Sequence, residues 1–548
     1  MARLESTLRF FASLPFYLPF NRAFFSRKAP AFPRIQPRKL WPGDVAQGNR
    51  LTKGHFRFSG RQVNMAESTW YPVEVGENWL HRLHTFNWLD DLRVSSDQKA
   101  LTTARALILR WIEDHGRLRP KSWGAVTMAT RLTQWMAHFE YLSSTADPRL
   151  QRTILRSTMQ QYACLARLVP GNLEGSALIR SLKALIIVGR CLPGTDATVA
   201  RATGHLKEAL AAQILADGSH IERCPATQMR VLLDLLDIRT AFSLAEVPAP
   251  DWLTQALHRC AGFVRLLQHG DGRLAKFQGE ALLSARLIQE ALQRADGGQT
   301  PLPSSGGPSG FHRIKAGRSL LIVDAGTAPK VPANSGIHAS TLAFEFSIGQ
   351  VRLVTNCGSF NLDWDWRQLQ RSTAAHSTLT WADYNSSELR PNGTVGRTPT
   401  QISAQRQRLN DPSGTYDALS LNHNGYASLG GGIHYRGLSL RTDGLVLLGE
   451  DRLEGAEHDN HLLRFHLHPG VQAELTQTRR SAILRLSTRD QGWRFDALGA
   501  HLQIADSVVA DERGQPLRAQ QLVLAPNYTG LAPKDHAMRW QFYQQGAI

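Results

Sequence analysis

The stretch RADGGQTPLPSSGGPSG, residues 294–310, separates two hydrophobic periodicities. Glycine, proline and serine dominate it, the composition of a connection rather than of a helix or strand. Upstream the apolar residues recur at helical spacing. DQKALTTARALILRWIEDHG (97–116) puts Leu101, Ala104, Ile108, Trp111 and Ile112 on one face, and PRLQRTILRSTMQQYACLARLVPG (148–171) repeats the pattern and stops at Pro170-Gly171. Seven or so such helices joined by short turns predict antiparallel helical pairs. Downstream the period becomes two. SLLIVDAG, STLAFEFSIG, QVRLVTNCG, GLVLLGEDRLEG and HLLRFHLHPG read as short strands with turn residues between them, which predicts a large antiparallel β-sandwich. The expected organisation is an irregular segment over 1–75, helices over 76–295, a connection over 296–310 and a sandwich over 311–548.

Composition narrows the partners. The chain has 548 residues, 42% hydrophobic and 20% charged, and a formal net charge of +17. That excess suits a polyanion. No long run of consecutive Lys or Arg occurs, so a nucleic-acid arm is not expected. The five cysteines (Cys164, Cys191, Cys224, Cys260, Cys357) form no C-x-x-C pair and are expected as buried small residues. At the N-terminus, MARLESTLRFFASLPFYLPF is aromatic and basic, but Glu5, Arg9, Pro15 and Pro19 interrupt it. It reads as an amphipathic segment for peripheral contact with a membrane or with the protein itself, not as a signal peptide. No run of 18 apolar residues is present.

Seven stretches carry polar residues of chemical interest. In DGSHIERCP, residues 217–225, His220, Glu222 and Arg223 precede a Leu-rich helix. Ser219 and Glu222 also have the spacing of a capping box. His338 lies in SGIHASTLAFEF and His376 in STAAHSTLTW, and NLDWDWRQLQRS (361–372) contributes Trp364, Trp366, Arg367 and Arg371. Aromatic faces stack on sugar rings, and guanidinium groups pair with carboxylates. Tyr384 follows in WADYNSSE. His466 and His468 share one face of a strand, expected as a solvated face, and QHGDGRLAKFQGE, with His269 and Asp271, reads as a turn.

The order of helices then sandwich, with DGSHIERCP, GFHRIKAGRSLLIVDAG, HASTLAFEFSIG and STAAHSTLTW, resembles the heparinase II/III-type polysaccharide lyases over roughly residues 75–540. The resemblance implies an α/α toroid followed by an antiparallel β-sandwich, and β-elimination on an acidic, uronate-containing polysaccharide. Such chemistry needs a group that neutralises the uronate carboxylate, a base for the adjacent proton and an acid for the leaving oxygen. The resemblance makes His338, Tyr384, His220 and Glu222 the catalytic candidates, with proton transfer assigned to His338 or Tyr384. Arg223, Arg371, His376, Trp364, Trp366 and Arg367 become the substrate-binding candidates.

Two expected groups depart from the pattern. Ser176 and Ala177 lie where the family carries a helical Asn or His, and Thr227 and Gln228 lie where it carries Tyr and His. A glycan-binding homologue without catalysis is therefore the alternative, and a glycoside hydrolase on the same scaffold a further one, although only Glu222 offers a carboxylate for it. Some relatives hold zinc at positions matching His338, Asn356 and His376. Two histidines and a neutral amide make a poor zinc set, so no cofactor is expected. The family points to the cell envelope or periplasm; the absence of a clear signal peptide leaves the cytoplasm open.

Overall fold

The computed structural model describes residues 30, 32–37, 40–95, 97–115, 122–145, 147–279, 283–329, 336–360, 364–457, 460–486, 492–511, 514–527 and 536–547. The expected amphipathic start, residues 1–29, lies outside them. The chain divides into two compact units, Met1–Ala212 with Leu233–Thr254, and Gln213–Leu232 with Gln255–Ile548.

The first unit is helical apart from one small hairpin, β1 (His55–Phe58) and β2 (Arg61–Asn64). Its longest helix, Pro148–Leu168, starts where the Asp147 side chain accepts from the Arg149 amide, with proline at the first helical position, and it ends in extended backbone at Val169. Helix Ala125–Ala137 is a finding the sequence reading did not single out. It is buried on nearly every side, Arg131 and Gln134 included, so it shows no polar stripe. Trp70, Trp79, Trp88, Trp111 and Trp135 are all fully buried, and they form the aromatic centre of this unit. Lys183 clamps helix Gly175–Cys191 to Asp234 at 2.7 Å and Asp237 at 2.8 Å, and burial of the cluster makes it a tight one.

The second unit is dominated by two antiparallel sheets. In chain order the strands are β3 (Phe311–Ala316), β4 (Ser319–Asp324), β5 (Phe344–Ile348), β6 (Val351–Thr355), β7 (Leu379–Trp381), β8 (Ile402–Asp411), β9 (Gly414–Tyr426), β10 (Gly432–Arg441) and β11 (Val446–Glu454). They continue with β12 (His461–Leu467), β13 (Val471–Leu475), β14 (Ser481–Leu486), β15 (Trp493–Leu498), β16 (Ala500–Ala510), β17 (Pro516–Pro526) and β18 (Met538–Gln544). One sheet runs β13-β14-β15-β18-β11-β10-β9-β8; the other runs β16-β17-β12-β6-β5-β4-β3, with β7 beside β12. Strand β10 shows the period-two logic plainly, since buried and half-buried residues alternate along all of it. Phe344, Phe346, Phe465, Trp493, Trp540 and Phe542 fill the core, with Phe344 stacked on Trp540 at 5.6 Å.

Two expectations are corrected here. His466 is buried: its Nδ1 meets Ser507 Oγ at 2.8 Å and its Nε2 the Ala374 carbonyl at 2.9 Å, because the Thr373–Ala375 turn and β16 cover that face of β12. Cys224 is only half-buried, whereas the other four cysteines are buried as expected.

Candidate functional site

The loop 214–224 is held in place from both ends. Leu215 N donates to Ser219 O, Ile221 N donates to Gln213 O, and Gly218 adopts φ +84. A Cβ at Gly218 would come within 2.1 Å of the Arg259 carbonyl, so glycine is required there. The capping-box reading does not hold. Ser219 Oγ donates to Asp217 Oδ1 at 2.6 Å, and the helix begins later, at Pro225. Asp217 in turn accepts from the Ser309 amide at 3.0 Å.

His220 is enclosed. Its Nδ1 accepts from the Glu222 amide at 3.2 Å, which places the proton on Nε2, and Nε2 donates to Gln213 Oε1 at 3.0 Å. Both ring nitrogens are engaged, and burial lowers its pKa. The sequence candidate His220 thus supports the loop. Glu222 sits half-buried beside it. Arg223, with φ +51, turns its guanidinium inward: Nε donates to Ser309 O at 2.7 Å, Nη1 to Thr327 O at 2.9 Å, and Nη2 to Asp324 Oδ1. Its charge is matched inside the protein and is not presented to a substrate.

Asp324, at the end of β4, is the centre of this arrangement. Besides Arg223 it accepts from Gln278 Nε2 at 3.1 Å and from Ser340 Oγ at 2.9 Å. Gln278 Nε2 also reaches Ser340 Oγ at 2.8 Å, and its Oε1 accepts the His338 amide at 2.9 Å. One buried carboxylate therefore ties together the 214–224 loop, the 274–279 segment and the 336–340 segment.

His338 and His376 form a pair. Their rings lie 5.2 Å apart at 80°, with His338 Nδ1 3.1 Å from His376 Nε2. His376 Nδ1 is 2.8 Å from the Ser372 carbonyl and must carry the proton, since a carbonyl only accepts. His376 Nε2 is then an acceptor, His338 Nδ1 the donor, and His338 Nε2 is left as a lone pair. Gly279, at φ +74, allows this; a Cβ there would lie 3.2 Å from that nitrogen. Burial lowers both pKa values, that of His376 to about 4, and His376 and Arg371 lower that of His338 further. Both rings are neutral near pH 7. Nitrogen NMR of the histidines is expected to show this tautomer pair unchanged from about pH 5 to 8, where an ordinary histidine titrates; a titrating His338 would remove the lone-pair assignment.

Positive charge accumulates around His338. Arg371 donates from Nε to Ile337 O at 2.8 Å and from Nη1 to Gln368 Oε1 at 2.9 Å, while its buried Nη2 has no hydrogen-bond partner. Burial, then Arg367, lowers its pKa to about 10; burial, then Arg230, lowers that of Arg367. Arg367 and Arg371 lie on helix Trp364–Arg371. Trp366 is exposed and packs edge-on against Phe360 at 5.5 Å. The Trp364 backbone starts this helix; its side chain lies outside the description.

Tyr384 is half exposed and stacks on Trp381 at 5.6 Å and 17°. Among the described residues no hydrogen bond joins it to His338, His376 or Arg371. Asn356 is spent elsewhere, donating to Glu345 Oε1 at 3.3 Å and accepting the Ser377 amide at 2.9 Å. Among the described residues no three His, Cys, Asp or Glu side chains are grouped to hold a metal ion.

Sequence reasoning missed Asp324, Gln278, Ser340 and Glu345. The usable signal was a lone acid at the end of an apolar strand in LLIVDAG, and another inside LAFEFS. Glu345 is wholly buried and accepts from His269 Nε2, Lys276 N, Arg352 Nη1, Thr355 Oγ1, and both Asn356 N and Nδ2, at 3.0–3.3 Å. The turn residues His269 and Asp271 thus belong to a buried network, with Arg352 bridging Glu345 and Asp271.

Residues 298–542 match the family model described as heparinase II/III-like, C-terminal. A crystal structure of heparinase III superposes with a TM-score of 0.73 at 14% identity, covering 95% of this chain and 88% of that one. The sandwich part of the chain is of the heparinase II/III-like type. The chain's fold is the helical toroid plus antiparallel sandwich of that group. A heparan sulfate lyase HepC mutant from Pedobacter heparinus also superposes, with a TM-score of 0.59 at 15% identity, over 92% of this chain and 84% of that one. At the level of sequence, FtsZ-localized protein C of Caulobacter vibrioides is 26% identical over 518 residues, 89% of this chain and 86% of that protein. Among the described residues, no helix is long and apolar enough to cross a membrane.

Proposed function

We propose that this chain binds an acidic polysaccharide without cleaving it, and that it localises with FtsZ as its relative does. The replacement of the family's proton-transfer pair carries the reading. Thr227 and Gln228 stand where Tyr and His are expected, and Gln228 is committed to the loop, accepting the His220 amide at 2.6 Å and donating to Gly218 O at 3.0 Å. The cationic surroundings of His338, with Arg230, Arg367 and Arg371 close enough to perturb one another, support an anionic ligand. The relative named for FtsZ resembles this chain over most of both lengths, which supports a shared location.

A second reading keeps catalysis. The unprotonated His338 Nε2 is a base of the type β-elimination needs, with Arg371 as the neutralising cation. A positioned base is worth about 10²–10⁴ in rate, so under this reading His338→Ala abolishes measurable turnover.

One assay separates the two. Purified protein is incubated with heparan, chondroitin, hyaluronan and alginate, and the ultraviolet absorbance of unsaturated uronate is followed beside retention in an affinity gel. Retention without an absorbance rise is expected, and Arg367→Ala is expected to weaken it roughly tenfold, the worth of one charge-assisted hydrogen bond. An absorbance rise lost in His338→Ala establishes the lyase instead. Imaging a fluorescent fusion beside labelled FtsZ tests the location; a pattern unrelated to FtsZ refutes it.

A further inference from the structure

The helical unit holds a second concentration of unsatisfied polar groups, unrelated to His338. Arg131, on helix Ala125–Ala137, is fully buried. Its Nε donates to Gln161 Oε1 at 2.7 Å, and Nη1 divides its two hydrogens between His84 O at 3.0 Å and Ser122 O at 2.9 Å. Nη2 is buried with no partner, and among the described residues no carboxylate pairs with this guanidinium. Trp111 lies under it, 4.0 Å from the ring centre.

Other donors surround it without acceptors. Trp70 Nε1, Tyr71 Oη and Ser122 Oγ are buried and unpartnered. His84 Nδ1 accepts from Trp111 Nε1 at 3.1 Å, so its proton is on Nε2, which has only the Trp70 backbone beside it, outside good hydrogen-bond geometry. The rings are close together: Trp70 is 5.9 Å from His84, and Tyr71 is 5.1 Å from His84. Burial and Arg131 lower the His84 pKa to about 3, so the ring stays neutral, and burial brings Arg131 down to about 9, which leaves it charged at pH 7. Buried donors are rarely left unmet, and a buried cation with no counter-charge is rarer still. Here one cation and several neutral donors converge with no anion of the protein's own.

We propose that Arg131, Tyr71, Trp70 and His84 form a binding site for a small monovalent oxyanion, of which a short carboxylate is the best match. A planar guanidinium edge suits a carboxylate, and a single positive charge favours a monoanion over phosphate.

Thermal unfolding of the full chain, titrated with sodium formate and sodium acetate against sodium chloride at equal ionic strength, tests this. A saturable rise in Tm is expected with the carboxylates and not with chloride. Phosphate is run in parallel, and a stronger effect from it overturns the monoanion assignment. Tyr71→Phe removes one donor and keeps the ring; it is expected to raise the half-saturating concentration about tenfold. Arg131→Lys is expected to abolish saturation. If that variant does not fold, Trp70→Phe replaces it, with an expected shift like that of Tyr71→Phe. Equal responses to chloride and carboxylate, or identical titrations in wild type and Tyr71→Phe, overturn the proposal, as does a high-resolution crystal structure grown in formate with only water on Nη2.

Discussion

Asp324→Ala is expected to destabilise the sandwich-containing unit by about 3–5 kcal/mol, because it strands the buried Arg223 guanidinium without a counter-charge. The same change removes the acceptor for Gln278 and Ser340, each held at about 3 Å. Since Gln278 also fixes the His338 amide, the damage reaches the histidine pair. Asp324→Asn keeps the shape and one acceptor oxygen, so it should cost less while still leaving the charge unmatched. Urea unfolding followed by fluorescence measures both. A loss under about 1 kcal/mol for the alanine variant, the level of a surface ion pair, would mean that Arg223 finds water and that Asp324 is not the centre described.

The second large effect concerns pH. Glu345 is wholly buried, and its pKa is brought down to about 2: burial alone would raise it, but the His269 hydrogen bond and the Arg352 charge prevail. In the unfolded chain a glutamate titrates near 4.3. A depressed folded value stabilises the protein above the unfolded pKa, and that contribution disappears as pH falls from about 4.3 toward 2. About two pH units of separation correspond to ~3 kcal/mol. Asp451 behaves alike, lowered to about 2 by Arg436 and His434 against its own burial. Denaturant midpoints measured between about pH 5 and 2 should therefore fall steeply. In Glu345→Gln the midpoint at neutral pH should be lower and the acid slope shallower, with the remaining slope shared by Asp451 and the other lowered carboxylates, Asp234, Asp271 and Asp296 among them. An unchanged slope would show that Glu345 titrates normally.

The architecture was legible because it depends on periodicity. The helical spacing from Leu101 to Ile112 and the alternation of the later strands report which face is buried, and burial is what the fold organises. The candidate site was legible only in part, since a sequence shows which side chains are capable of chemistry but not where their hydrogen bonds go. His220 and Arg223 look reactive in GSHIER, yet both are consumed by Gln213, Ser309 and Asp324, partners from distant segments. His338 and His376 were singled out, but their tautomers depend on one backbone carbonyl, that of Ser372. For His466, alternation gives a face and not its neighbours; the Thr373–Ala375 turn and Ser507 of β16 cover it. Arg131 drew no notice, as an arginine on a helix is ordinarily a surface residue.

The boundary of the sandwich has a consequence for how such a module can be moved between proteins. The family match begins at residue 298, but Arg223, His269, Lys276 and Gln278, which satisfy Asp324 and Glu345, all precede it. A gene fragment encoding 298–542 alone inherits two interior acids that keep Ser340, Arg352, Thr355 and Asn356 but lose the rest of their partners. Shuffling the sandwich onto another protein therefore requires carrying the upstream loop and turn with it, or mutating both acids away.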